Sequence, residues 1–278
     1  KQNPLYEESG MALLKTHYYG GIRKYQWVAR PLALYGTIVR RDGSVLDIAV
    51  GDEPGDPVFY ISDLLPHLAA DQNKKTLAEG IEGEALNVLV GGLPAGNDGD
   101  EKRFKEGVLQ LLRDKYGVEE EDFTSAELEI VPAGAARDIG FDRALIAAYG
   151  HDDRVCAYTS MQALFSLTSC RKTAVALFAD KEEVGSMGST GMQSQFFTNM
   201  LAEMIALQAG QCSVVALNRA LARSAMLSAD VAVAFDPNYP SPCEALNTAV
   251  LGKGTAIVKY TGSRGKSGSN DANAEFIG

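Results

Sequence analysis

From Leu13 to about Phe123, apolar residues come in short alternating runs broken by turn chemistry. Thr37-Ile38-Val39 and Val45-Leu46-Asp47-Ile48-Ala49-Val50 flank Arg41-Asp42-Gly43-Ser44. Asp-Gly supplies the positive φ of a tight turn, so this pair is predicted to be a hairpin. Further on, the pattern predicts a short helix over 61–70, an apolar strand over 85–91 and a loop over 94–100. A helix over 101–116 follows, with Phe104, Val108, Leu111 and Leu112 at helical spacing and charges between them. This half reads as a β-rich module with a few helices.

After Ala126 the texture changes to longer alternating units: a strand at Leu128-Glu129-Ile130-Val131, then a helix from Arg154 to about Ser169. Next come an uncharged strand over 173–179, a helix over 193–208, a strand ending near Asp230 and another over 256–260. Strands alternating with helices of this length predict a mostly parallel sheet covered on both faces, an α/β architecture. The domain junction is expected near residue 126. No internal repeat or low-complexity segment interrupts the pattern.

Composition narrows the function. The 278 residues are 46% hydrophobic and 22% charged, enough for one large domain or two modest ones, which excludes disorder, collagen and coiled coil. Lys+Arg 26 against Asp+Glu 36 gives a formal net charge of -10, the wrong sign for a nucleic-acid partner. No apolar run approaches the ~18 to 20 residues of a membrane span, so a soluble, cytoplasmic protein with no membrane partner is expected. Cys156, Cys170, Cys212 and Cys243 form no C-x-x-C pair and fit reduced, buried thiols. The chain begins at Lys1 without a methionine and reads as a piece of something longer.

The candidate chemistry lies in three acidic clusters at predicted strand or helix ends. Val175-Ala176-Leu177-Phe178-Ala179 stops abruptly at Asp180-Lys181-Glu182-Glu183. Ligands of open α/β sheets bind at the carboxyl ends of strands. Adjacent side chains diverge, so Glu182 and Glu183 can divide the work of base and metal ligand, or form a solvated strand-end cluster. Gly150-His151-Asp152-Asp153-Arg154 precedes a helix, where one aspartate can cap and the other project into a site. Asp230 follows Leu227-Ser228-Ala229 at a third strand end, where a turn or cap role is the alternative. Converging, the three clusters could hold a pair of divalent cations.

The strings Gly150-His-Asp-Asp-Arg-Val155, Lys181-Glu-Glu-Val-Gly-Ser186, Ser228-Ala-Asp-Val-Ala-Val-Ala-Phe-Asp-Pro-Asn-Tyr239 and Leu251-Gly-Lys-Gly254 resemble, in order and spacing, the aspartyl aminopeptidase family of dinuclear zinc peptidases. The likeness extends over essentially the whole chain, including Thr16-His-Tyr-Tyr-Gly-Gly-Ile22. It implies a three-layer α/β zinc-peptidase-like catalytic domain, formed by 1–13 and 126–278, with an inserted β-rich dimerisation domain over 14–125. It implies two divalent metal ions, zinc with cobalt or manganese as alternatives. Asp152 would bridge them, Glu183 and Asp230 would each bind one, with Asp236 a second candidate for the last role. Glu182 would be the general base and Lys259 would hold substrate. The implied activity is release of the N-terminal residue, an Asp or Glu by preference, from peptides. The implied assembly is a cytoplasmic dodecamer built from dimers.

The family's two metal-binding histidines fall in segments that this chain does not contain. His17, His67 and His151 are expected in packing or surface roles. The family's substrate-holding histidines are also missing, at Val233 and near Lys24 and Tyr25. Broad-specificity tetrahedral aminopeptidases share the two-metal layout and differ in the substrate pocket. A catalytically dead shell protein of the same fold is the non-enzymatic alternative. Two other motifs fail on spacing. Gly265-Lys266-Ser267 lacks the glycine a phosphate loop needs five residues earlier, where Tyr260 stands. Residues 97–101 supply only half a calcium loop.

Overall fold

A computed structural model describes residues 3–18, 20–243, 246 and 248–257 of the chain. Two strands, β1 (Leu5–Glu8) and β2 (Met11–Lys15), turn through Ser9 and Gly10, both at positive φ, the backbone of a tight hairpin. The predicted hairpin forms from β3 (Pro31–Val39) and β4 (Val45–Val50), with Gly43 at φ 84° and Arg40 N–H donating to the Ser44 carbonyl at 2.8 Å. Strand β5 (Phe59–Tyr60), helix α1 (Leu77–Gly80), strand β6 (Asn87–Gly91), helix α2 (Arg103–Tyr116) and strand β7 (Ala126–Pro132) follow. All seven strands join one antiparallel sheet in the order β1-β2-β6-β5-β3-β4, with β7 also paired to β3. Leu34 to Ile38 pair with both β4 and β7, so these two strands take opposite edges of β3.

The sheet buries one core around Leu32, Val88, Leu109 and Phe123 and a second around Ile38, Ile48, Val50 and Val118. Helix α2 covers it with a stripe of Val108, Leu109 and Leu112, while Leu111 is 64% exposed. Leu111 was expected on the apolar face, but successive residues turn by about 100° and the stripe centres between Val108 and Leu109. The first turn of α2 is capped from a distance: Glu7 Oε2 accepts from the amides of Phe104 at 2.7 Å and Lys105 at 2.9 Å. Residues 61–70 are turn and loop rather than the expected helix. Pro66 disfavours helical backbone at Leu65 and brings no N–H of its own.

The chain divides into two compact units, Lys1–Tyr149 with Lys181–Met187, and Gly150–Asp180 with Gly188–Gly278. The first also holds a small hairpin of β8 (Arg137–Ile139) and β9 (Leu145–Ala147). Strand β7, just beyond the expected junction, is hydrogen-bonded along its length to β3 of the preceding module. The second unit contributes α3 (His151–Phe165), α4 (Phe196–Ala209) and α5 (Val214–Ala222), the predicted helices within a few residues plus one more. The chain is thus mixed α/β.

The expected parallel ladder does not form among the described residues of the second unit. Residues 173–179 and the run to Asp230 are irregular, and a single parallel bridge joins Ala234 to Ala249. A strand exists only with a neighbour to bond, and here Val175 and Phe178 are about half exposed, at 47% and 54%. The predicted strand over 256–260 lies mostly outside the described residues. No single helix among the described residues is long and apolar enough to cross a membrane.

Candidate metal centre

Helix α3 opens on Gly150, whose φ of 77° is a left-handed conformation that glycine adopts without penalty. The next turn is not helical at Asp152 (φ -84°, ψ 113°) or Asp153 (φ -114°, ψ 29°), and the peptide between them is cis. Neither aspartate caps the helix, so the expected division of one cap and one site residue is not seen, and both carboxylates join the cluster. Asp230 arrives from the irregular segment after α5, with Oδ1 accepting the Val231 amide at 2.7 Å. One carboxylate oxygen from each of Asp152, Asp153 and Asp230 lies within 4.8 Å of the other two.

Three exposed carboxylates this close repel one another. Burial, then Asp230, then Asp153 push the Asp152 carboxyl above its ordinary value, because each disfavours the ionised form. A divalent cation reverses that penalty. Zn–O bonds of roughly 2.0–2.2 Å put the ligand oxygens of a tetrahedral ion about 3.3 to 3.6 Å apart, so side-chain rotations that close the cluster by about an ångström bring the three oxygens onto one ion. Three oxygens leave a zinc shell short of its usual four, and the remaining position is open to another ligand or to water. The donor set therefore fits a divalent metal.

The other expected residues have separate surroundings. Glu182 and Glu183 lie in a 3-10 turn, Glu182–Val184, framed by Lys181 at φ 64° and Gly185 at φ 85°, not at a strand end. Both are exposed and belong to the first compact unit. Successive residues of such a turn diverge by about 120°, so the two glutamates still face different ways. Asp236 closes a local turn, with Oδ1 accepting the Asn238 amide at 2.8 Å, and is not in the carboxylate cluster. Lys259 and the segment 260–268 lie outside the described residues. His17, His67 and His151 are exposed, and the cluster among the described residues holds no histidine.

Asp153 is the member that the sequence left ambiguous. The signal for it was the Asp-Asp pair itself, directly after a glycine at a helix start.

The thiols differ from expectation too: Cys170 is exposed and the other three are partly exposed. Cys156, one turn into α3, is pushed up to about 11 by burial, by a hydrogen bond to Asp153 and by the surrounding aspartates.

Residues 1–277 match the family model described as aminopeptidase I zinc metalloprotease (M18). The chain is 55% identical over 278 residues to a probable M18 family aminopeptidase 1 of Clostridium acetobutylicum, covering all of this chain and 59% of the relative. In the crystal structure of aminopeptidase I from Clostridium acetobutylicum, 52% identity accompanies a TM-score of 0.86 over 98% of this chain and 59% of the other. An M18-family aminopeptidase from Thermotoga maritima gives 42% identity and a TM-score of 0.83, with the same coverage. The chain spans 59% of the length of these proteins.

Proposed function

Because the chain belongs to the M18 family of aminopeptidase I zinc metalloproteases, we propose that the protein containing it is a metal-dependent aminopeptidase, releasing single residues from the free amino end of peptides. The observation that carries this reading is the convergence of Asp152, Asp153 and Asp230. The crowding pushes the Asp152 carboxyl up, and a divalent cation bound there would relieve it and supply a metal site for hydrolysis.

In this reading Asp152 would hold both zinc ions, Asp230 and Glu183 would each hold one, and Asp153 would fix the cluster from the same turn. Bound divalent zinc supplies Lewis acidity and water of lowered pKa. The Glu182 carboxylate takes the proton of the attacking water and returns it to the departing amine. Lys259 orients the substrate. An acidic first residue is the preferred substrate by resemblance, and broad specificity is the alternative that the missing histidine at Val233 favours.

The catalytic parts are 1–13 and 126–278, with 14–125 as the dimerisation module of a cytoplasmic self-assembly. The outer edge of β4, without a strand partner among the described residues, supports an assembly role for that module. The test is an assay of the full-length protein on Asp-, Glu- and Leu-terminated peptides with and without chelator. Release of one residue at a time, stopped by chelator and restored by zinc, is expected; cleavage that ignores chelator refutes the reading.

A further inference from the structure

The turn bearing Glu182 and Glu183 is fastened to the β-rich sheet. Lys181 Nζ reaches Glu127 Oε1 at 2.8 Å, with the lysine side chain only 22% exposed. Lys181 also organises the turn internally: its carbonyl accepts from Ser186 at 2.8 Å and Val184 at 3.3 Å, while Gly185 donates to the Glu182 carbonyl at 2.9 Å. A second close approach lies at Gly20, where a Cβ would stand 3.2 Å from the Glu183 carbonyl oxygen, so the two backbones come within about a side chain's width of each other.

The Glu127 backbone lies in a paired strand, and its side chain is 74% exposed. Glu127 stands on β7 opposite Thr37, and the adjacent Gly36 lets β7 approach so closely that a Cβ there would sit 2.0 Å from the Glu127 carbonyl oxygen. Two separated contacts thus hold a short, exposed ribbon, one to strand β7 and one to the loop after β2.

We infer that Lys181 and Glu127 are positioning residues for Glu182, strand β7, itself paired to β3, holding in place the turn that presents the general base. This rests on the reading of Glu182 as that base. The 14–125 module, through the β3 strand that pairs with β7, then supports the turn from behind. An exposed ion pair is ordinarily worth little to stability, so its value here lies in fixing a geometry to which proton transfer is sensitive.

The experiment compares full-length parent protein with Glu127→Gln, Lys181→Met and the reversed pair Lys181→Glu with Glu127→Lys. Three readouts are taken: amide hydrogen exchange over 182–186, bound zinc, and kcat separately from KM. Each single variant is expected to exchange about 5- to 10-fold faster in the turn and to lose about 10-fold in kcat, with KM and zinc content within about twofold of parent. The reversed pair is expected to recover most of both. Parental exchange or parental kcat in the single variants, or no recovery in the reversed pair, overturns the inference. If the parent is active, Glu182→Gln is inactive and the ion-pair variants match the parent, the inference alone falls. If Glu182→Gln keeps parental kcat, the reading of the base falls and the inference falls with it.

Discussion

Asp152, in the first turn of α3, and Asp230, after α5, place carboxylate oxygens within 4.8 Å of each other, with Asp153 the third member. Asp236, the other aspartate of the segment after α5, is occupied by its own turn. Asp230→Asn in the full-length protein is therefore expected to weaken divalent-cation binding at least roughly 10- to 100-fold, since even outer-shell losses cost that much. Asp236→Asn should bind as the parent does. Competition titration against a chromophoric chelator reads both, and parental affinity in the Asp230 variant would remove it from the metal shell.

Glu182→Gln separates base from ligand. The amide keeps the shape of the side chain and loses the proton acceptor, so kcat should drop by roughly 10²- to 10⁴-fold while metal content stays parental. Asp152→Asn, by contrast, should lose metal together with activity. Elemental analysis beside single-substrate kinetics distinguishes the two, and a metal-free Glu182→Gln protein would show that the roles have been exchanged.

The β3–β7 pairing depends on a missing side chain. Gly36 has φ 144°, and a Cβ there would meet the Glu127 carbonyl oxygen at 2.0 Å and Leu128 Cα at 2.9 Å, backbone that can move only by opening the ladder. Gly36→Ala should cost at least about 2 kcal/mol, the range of backbone strain combined with lost packing. Chemical denaturation of the full-length protein measures it; a variant within 0.5 kcal/mol of parent, roughly the scatter of neutral surface changes, would mean that β7 pairs more loosely than described.

Local chemistry made the hairpin of β3 and β4 legible, because Asp42-Gly43 sets the turn and alternation sets the register. The helices after residue 150 were legible from period and length. The ladder expected around 173–179 was not formed, because a buried strand is a statement about neighbours, and apolar composition alone names none. Asp152 and Asp230 could be singled out as isolated acidic residues at element ends. That they meet, and that Asp153 meets them, depends on the departure from helical backbone at the start of α3, which no periodicity encodes. Glu182 and Glu183 were found by their charge after an apolar run, whereas their fastening through Lys181 to Glu127 joins positions far apart in sequence.

A pH-dependent feature lies at the start of α1. Thr76 donates its hydroxyl to Glu79 Oε2 at 2.7 Å and its amide to the same oxygen at 3.4 Å. The hydroxyl first and the amide second hold the Glu79 carboxyl below the ordinary 4.5, since both favour the ionised form. The unfolded chain therefore takes up this proton at higher pH than the folded one. The contribution is fully present above about 4.5, the unfolded value, and is lost as pH falls through the folded value. In Thr76→Val the hydroxyl is gone, and the Glu79 titration followed by carboxyl-carbon NMR should move upward toward 4.5. An unmoved midpoint would assign the depression to the nearby lysines instead, and Lys75→Met would then move it.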